Sequence, residues 1–337
     1  MAELNWRERQ TQASQSLLQQ GSQALREGNL DLARMALTES AIVLDMAPED
    51  TEDVRKLRAQ AFNELGVVHQ RGNDVATAKT FHEQAALLCR RIIDEDGDKS
   101  FRGNSAATHL NLANLSAAAG DMDTARNALV YAQKTVDELL EENEPTINTM
   151  ASAIYMTKAS MHASQEEFDE ADASMTRGLE ISREVIDGGN KALYVQATQG
   201  CQQLSVQFFQ SEQFDNALKW GRVAEELSEE AFEELGQDVV SIYIVSQINL
   251  ISYNEKLFNF ADAEDSFGKA IDLVGNDPRL LKRGKDFYEF CRKQSDARLA
   301  EGGLPRDEVE DGYADVLERI EEIGGLPEEV ENEPTQA

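Results

Sequence analysis

ANLSAAAGDMDTARNALVYA, residues 113–132, consists almost entirely of helix-favouring residues, yet Gly120-Asp121 interrupts it. Glycine is costly and aspartate weak in a helix interior, so the pair reads as a turn between two helices. Glycine supplies the unusual backbone angles, and Asp or Asn caps the second helix by accepting backbone N–H bonds. Ala125, five residues past the glycine, serves as a marker. Related segments run EGNLDLA to Ala33, GNDVATA to Ala78, GDMDTA to Ala125, EEFDEA to Ala171, EQFDNA to Ala217 and FNFADA to Ala263. The spacings are 45, 47, 46, 46 and 46 residues. A period of this length marks an array of supersecondary units, each of which buries its apolar face against its neighbours.

Each unit reads as a helical hairpin. Upstream of the turn, Phe62, Leu65, Gly66 and His69 in one copy, and His109, Leu112, Ala113 and Ser116 in the next, form a stripe at helical spacing. Downstream, Leu129 and Ala132, or Phe267 and Ala270, form the matching stripe. The small members of both stripes let two backbones approach closely. All six prolines, at 48, 145, 278, 305, 327 and 334, fall between the expected helices, where they do no damage.

The pattern of Phe62, Leu65-Gly66, His69, Ala78 and Ala85 resembles the tetratricopeptide repeat (TPR). The long period and THLNLANLSAAAGDMDTARNAL resemble the extended repeats of kinesin light chains. The resemblance covers about residues 14–275. It implies an all-α, right-handed α-solenoid of about six TPR-like hairpins with a C-terminal capping helix. The repeats are placed at about 5–48, 49–97, 98–143, 144–188, 189–235 and 236–276, the capping helices at 277–325 and an acidic disordered tail at 326–337. Asp277-Pro278 reads as an N-cap with proline at the first helical position. A further helix is expected at about 306–323. The sequence departs from the family in two respects. The aromatic near the start of the first helix survives only as Phe62 and Tyr155, and Gly-Asp decays to Glu-Glu in the fourth copy, which predicts uneven turn geometry.

In this family the first helices line a concave groove that binds extended peptides. Residue by residue, the resemblance places Gln60, Asn63, Gln70, Asn111, Asn114, Thr157, Ser160, Gln202, Gln203, Asn249 and Ser252 there, with Val206, Phe209 and Met156 as pocket walls. Amide side chains both donate and accept, so they can bond a peptide backbone whatever its sequence. At about 0.5–1.5 kcal/mol net per bond, several are needed. Chaperone-binding members grip a C-terminal carboxylate with cations, but the matching positions, Leu18, Gln60, Asn63, Ala107, Asn111, Ala153 and Thr157, carry none.

The chain has 337 residues with 63 acidic against 32 basic, a net charge of -31. This opposes binding to nucleic acid or to an anionic membrane and suits a basic protein or peptide partner, solubility or life at high salt. Eleven of those net charges lie in 301–337. GGLP occurs at 302–305 and again at 324–327, as helix stop and start signals or as a duplicated docking motif. The polar start has no apolar signal region. The three scattered cysteines, with no CxxC, predict neither a disulfide framework nor a zinc site, and a reducing cytoplasm is expected. The four histidines occupy repeat-pattern positions and are expected to pack within or between repeats. No HExxH, GxSxG, P-loop or GxGxxG occurs. The expected function is therefore non-catalytic and without a cofactor: an adaptor or scaffold for an extended peptide. The alternative is a solenoid that self-assembles into a homo-oligomer through its end surfaces.

Overall fold

The computed structural model describes residues 2–47, 49–142 and 144–327, with side chains from Glu8 onward except at Pro145. Among them the secondary structure is helical throughout. The helices are α1 (Ala2–Arg26), α2 (Leu30–Asp45), α3 (Glu52–Arg71), α4 (Val75–Asp94), α5 (Arg102–Ala118), α6 (Met122–Glu141), α7 (Asn148–Ser164) and α8 (Phe168–Asp187). They continue with α9 (Leu193–Gln210), α10 (Phe214–Leu235), α11 (Val240–Leu257), α12 (Phe260–Val274), α13 (Pro278–Arg292), α14 (Asp296–Glu301) and α15 (Arg306–Glu322). The chain divides into two compact units, residues 1–155 and 156–337. The acidic tail expected at 326–337 lies outside the described residues beyond Pro327.

In the first unit α1 pairs with α2, α3 with α4 and α5 with α6, and each hairpin packs on the next through α2–α3 and α4–α5. The first helices also meet directly, α1 with α3 and α3 with α5. Close approach depends on small residues. A Cβ at Gly66 of α3 would stand 2.6 Å from the His82 ring of α4, and one at Gly21 of α1 would stand 2.5 Å from Leu37 of α2. In the second unit α9 pairs with α10 and α11 with α12, and α13 packs on α11 and α12. The Asp277 side chain caps α13 by accepting from the Arg279 N–H, with Pro278 at its first position. α15 then pairs with α13, so the expected capping helix continues the helix-pair packing.

All six marker alanines, Ala33, Ala78, Ala125, Ala171, Ala217 and Ala263, are 0% exposed. Five residues before each stands a left-handed residue: Gly28, Asn73, Gly120, Glu166, Glu212 and Phe258, with φ between 59° and 77°. The turns are thus uniform in backbone, contrary to the uneven geometry expected. Their unevenness is chemical. The caps Asn29, Asp74 and Asp121 accept from the backbone N–H of Leu32, Thr77 and Thr124, whereas Glu167, Gln213 and Asn259 make no side-chain cap bond. In the second copy the left-handed residue is Asn73, not its neighbour Gly72, which stays at φ -79°.

Both GGLP segments end helices. Gly303 has φ 79°, and the Leu304 N–H returns to the Leu299 carbonyl at 3.0 Å. Gly324 and Gly325 have φ 83° and 99°, and the Gly325 N–H returns to the Ile320 carbonyl at 2.9 Å. These are left-handed C-terminal caps.

Candidate functional site

The repeat register carries one polar position through six copies. Fourteen residues before the marker alanines stand Gln19, Glu64, Asn111, Thr157, Gln203 and Asn249. In the first unit this face opens into a cleft of about 500 Å³ between α1, α3 and α5. Its polar lining comes from Gln15, Gln19 and Ser22 of α1, Gln60, Asn63 and Glu64 of α3, and Asn104 and Thr108 of α5. Leu18, Leu57 and Phe101 supply apolar wall, and no lysine or arginine lines it. The volume falls within the ~300–1,000 Å³ typical of ligand clefts. The side-chain amides of Gln15, Gln19, Gln60 and Asn104 make no hydrogen bond among the described residues.

Asn63 is held from behind. Its Oδ1 lies 3.2 Å from Nδ1 of His82 and accepts from Nδ2 of Asn111 at 3.2 Å. His82 is fully buried on α4, and burial depresses its pKa to about 4, so its neutral ring donates through Nδ1. His109 is likewise buried and held down at about 4, its ring stacked on Tyr131 at 4.2 Å. His69 and His162 latch turns instead, with Nδ1 3.1 Å from Asp74 Oδ2 and 2.6 Å from Glu167 Oε2.

The remaining expected groove residues are placed as follows. Gln70 and Asn114 are exposed on α3 and α5. In the second unit Ser160 accepts from Nε2 of both Gln203 (3.1 Å) and Gln207 (2.9 Å). Gln202 donates to the Ile242 carbonyl at 2.8 Å and to Ser246 Oγ at 2.9 Å. Thr157 and Asn249 are half-buried. Ser252 is only 8% exposed, donates to the Ile248 carbonyl at 2.9 Å and accepts from Arg283 Nε at 3.2 Å, so it serves packing rather than an open face. Met156 and Phe209 belong to the second unit's core, Phe209 packed between the rings of Phe214 and Tyr253, and Val206 is half-buried.

Glu64 was not among the residues singled out from the sequence, nor were Ser22, Gln15, Gln19, Asn104 and Thr108. The signal was there for Gln19 and Glu64, which share a register position with Asn111 and Gln203. Ser22 Oγ lies 2.7 and 2.6 Å from the two Glu64 oxygens. Burial lifts the Glu64 carboxyl above its ordinary range, against smaller opposite pulls from Ser22 and Arg26. The thiols are removed from chemistry. Cys89, Cys201 and Cys291 are free and buried, and burial raises them to about 11, 12 and 12. No helix among the described residues is long and apolar enough to cross a membrane.

This hairpin register, repeated along an all-α chain, defines a protein of the tetratricopeptide-repeat class. The chain belongs to the family of unknown function DUF6483, whose profile matches residues 92–321. Two crystal structures are similar to it in fold. The apo form of RapI has a TM-score of 0.53 at 11% identity over 92% of this chain and 98% of its own. A signal transduction ATPase with numerous domains, carrying a tetratricopeptide repeat sensor, from Pyrococcus horikoshii has a TM-score of 0.54 at 12% identity, over 92% of this chain and 44% of its own. No curated protein sequence matches the chain.

Proposed function

We propose that this chain is a non-catalytic adaptor, built on six repeats over 1–276 capped by the helices of 277–325, that binds an extended peptide segment of a partner protein. The observation that carries the reading is the cleft between α1, α3 and α5, where Gln15, Gln19, Gln60 and Asn104 present amides with no internal partner. A peptide backbone needs donors and acceptors in alternation, and an amide side chain is both. The exposed Gln70 and Asn114 extend the same reading along α3 and α5. Three buried free thiols support a reducing compartment, the cytoplasm. Selection of random displayed dodecapeptides on the full-length chain, followed by fluorescence anisotropy, tests the reading. The double variant Gln60→Ala/Asn104→Ala is expected to weaken the selected peptides about 5–150-fold, as loss of two bonds of ~0.5–1.5 kcal/mol each allows, with melting unchanged. Undiminished binding by that variant would remove the cleft from the function.

A second reading is self-association through an end surface. It is favoured by Met35, Ile42 and Met46, which share one face of α2 and are 56%, 53% and 66% exposed. Sedimentation velocity over a concentration series checks it. Concentration-dependent growth that Met35→Gln/Ile42→Gln abolishes would support it.

A further inference from the structure

The inference here rests on the peptide-binding reading and names the chemistry of the peptide. We propose that the cleft between α1, α3 and α5 is a subsite for a lysine or arginine side chain of the bound peptide, with Glu64 as its counter-ion.

Three observations carry it. First, Glu64 is the one acid at a register position otherwise occupied by Gln19, Asn111, Thr157, Gln203 and Asn249. A repeat that needed only backbone recognition would be served by an amide there too. Second, the carboxylate is half-buried, lines a cleft of about 500 Å³ and forms no ion pair among the described residues. Its polar partner is the Ser22 hydroxyl, a single proton shared between two oxygens and the Leu18 carbonyl, which lies 2.9 Å from the same Oγ. An ionised carboxylate accepts at about four lone-pair sites, so most of that capacity is unused among the described residues. Third, several other carboxylates are satisfied internally, whereas Glu229, the other half-buried acid lifted by burial without a bond, lies among further acids rather than amides. Arg55 pairs with Asp96 at 2.5 Å, Lys79 with Asp121 at 2.5 Å and Arg283 with Glu255 at 2.8 Å. Glu264, also lifted by burial, accepts from Tyr288 Oη at 2.8 Å.

A desolvated, unpaired charge is costly, and a cation supplied by a ligand removes that cost while adding a charge-assisted hydrogen bond. Among the described residues Glu64 is the only Asp, Glu, Lys, Arg or His lining the cleft, and Arg26, the cation acting on it through space, is engaged with Gln23 at 2.9 Å. The occupant is thus a neutral backbone carrying a positive side chain. The chain's own acidic C-terminal stretch is excluded by its charge.

The test uses the full-length protein and the peptides selected from the random dodecapeptide library. Selected sequences are expected to share a Lys or Arg at one fixed position. Replacing that residue by norleucine should weaken binding to the unsubstituted protein at least tenfold and to Glu64→Gln less than twofold. Gln retains an acceptor for Ser22 and nearly the same shape. If Glu64→Gln melts early, Glu64→Asp is used instead, and it should keep the cationic preference at reduced affinity. A tenfold norleucine penalty that persists in Glu64→Gln would overturn the proposal, because the general acidity of the surface would then account for it. Selected peptides with no enriched basic position would overturn it while leaving peptide binding intact. Peptides insensitive to Gln60→Ala/Asn104→Ala, or no selected peptide at all, would bring down the peptide-binding reading, and the subsite with it.

Discussion

The first-helix faces of the two units start from the same repeat position and end differently. In residues 1–155 the polar side chains of α1, α3 and α5 line an open cleft, and four of their amides are unused. In residues 156–337 several first-helix amides are consumed, although the side chains of Gln196, Gln199 and Asn249, at the register positions of Asn104, Gln60 and Gln19, make no hydrogen bond among the described residues. Gln202 reaches across to α11, Gln203 and Gln207 converge on Ser160, Ser205 lies 2.9 Å from the Tyr253 hydroxyl, and Ser252 receives Arg283. The aromatic content follows suit. Phe208, Phe209, Tyr243 and Tyr253 fill the second unit, whereas α5 is rich in alanine and asparagine. One repeat face thus stays open or becomes cross-braced, depending on whether its polar residues find partners in the neighbouring helix. The first unit bonds Asn63 to Asn111 but leaves the cleft amides open, and the second commits Gln202, Gln203 and Gln207 to its own packing.

Removing a brace should hurt the second unit most. Arg283 is nearly fully buried and pairs with Glu255 while donating to Ser252. Arg283→Ala strands that carboxylate, and breaking a sheltered pair by deleting one partner costs ~3–5 kcal/mol. Urea denaturation should show a loss of that size. A loss under about 1 kcal/mol would mean that the second unit is not held together by its polar bonds.

Gly66 probes the first unit's packing. With its would-be Cβ 2.6 Å from the His82 ring, Gly66→Ala must push His82 away from Asn63. Such overpacking costs ~1–3 kcal/mol, and peptide affinity should fall with it because Asn63 loses its support. Unchanged stability would show that His82 can shift freely and that Asn63 is not fixed from behind.

The turns sharpen the comparison further. Glu166 and Glu212 adopt φ 61° and 59° without a cap bond, where the first unit has Gly28 and Gly120 beside capping Asn29 and Asp121. A left-handed non-glycine residue costs ~1–2 kcal/mol. Glu166→Gly and Glu212→Gly should each raise stability, by somewhat less than that because glycine also gains freedom in the unfolded chain. Differential scanning calorimetry of both variants decides it, and a lowered Tm in both would contradict the strain argument.

Most of the fold was legible because it repeats. A buried alanine every 46 residues or so, a break five residues before it and small residues at helix crossings are all written in residue type. The turn conformation was harder to read. At Glu166, Glu212 and Phe258 nothing in the residue announces φ > 0; the position within the repeat dictates it. Phe258 accepts the strain for its contacts, with the Arg298 guanidinium 3.8 Å from its ring centroid and its carbonyl against Gly302. The site was only half legible. The amide character of the first-helix face could be read off, but which amides stay free depends on partners 40 or more residues away, as for Gln202 and Ser246. Glu64 escaped notice because the sequence shows a solvent-suited acid, whereas its meaning comes from Ser22 and the cleft walls of α1 and α5.

The smallest expected effect is the most discriminating, because it has opposite signs in the two units. Arg283 and Glu255 pair at 2.8 Å away from solvent, so removing either partner destabilises. Glu64 has no such partner, and burial holds its carboxyl above the ordinary range. A carboxyl whose pKa is higher folded than unfolded contributes stability that is fully present below the unfolded value, near 4.3, and lost as pH rises through the folded value. At neutral pH the ionised Glu64 therefore lowers the stability of the peptide-free protein. Glu64→Gln should then raise Tm at pH 7, and the advantage should shrink as pH falls and the wild-type carboxyl takes up its proton. Melting curves of both proteins from pH 4 to 8 measure it. A Glu64→Gln protein less stable at pH 7 than at pH 4, relative to wild type, would mean that an internal cation already satisfies Glu64, as Arg283 satisfies Glu255 in the second unit.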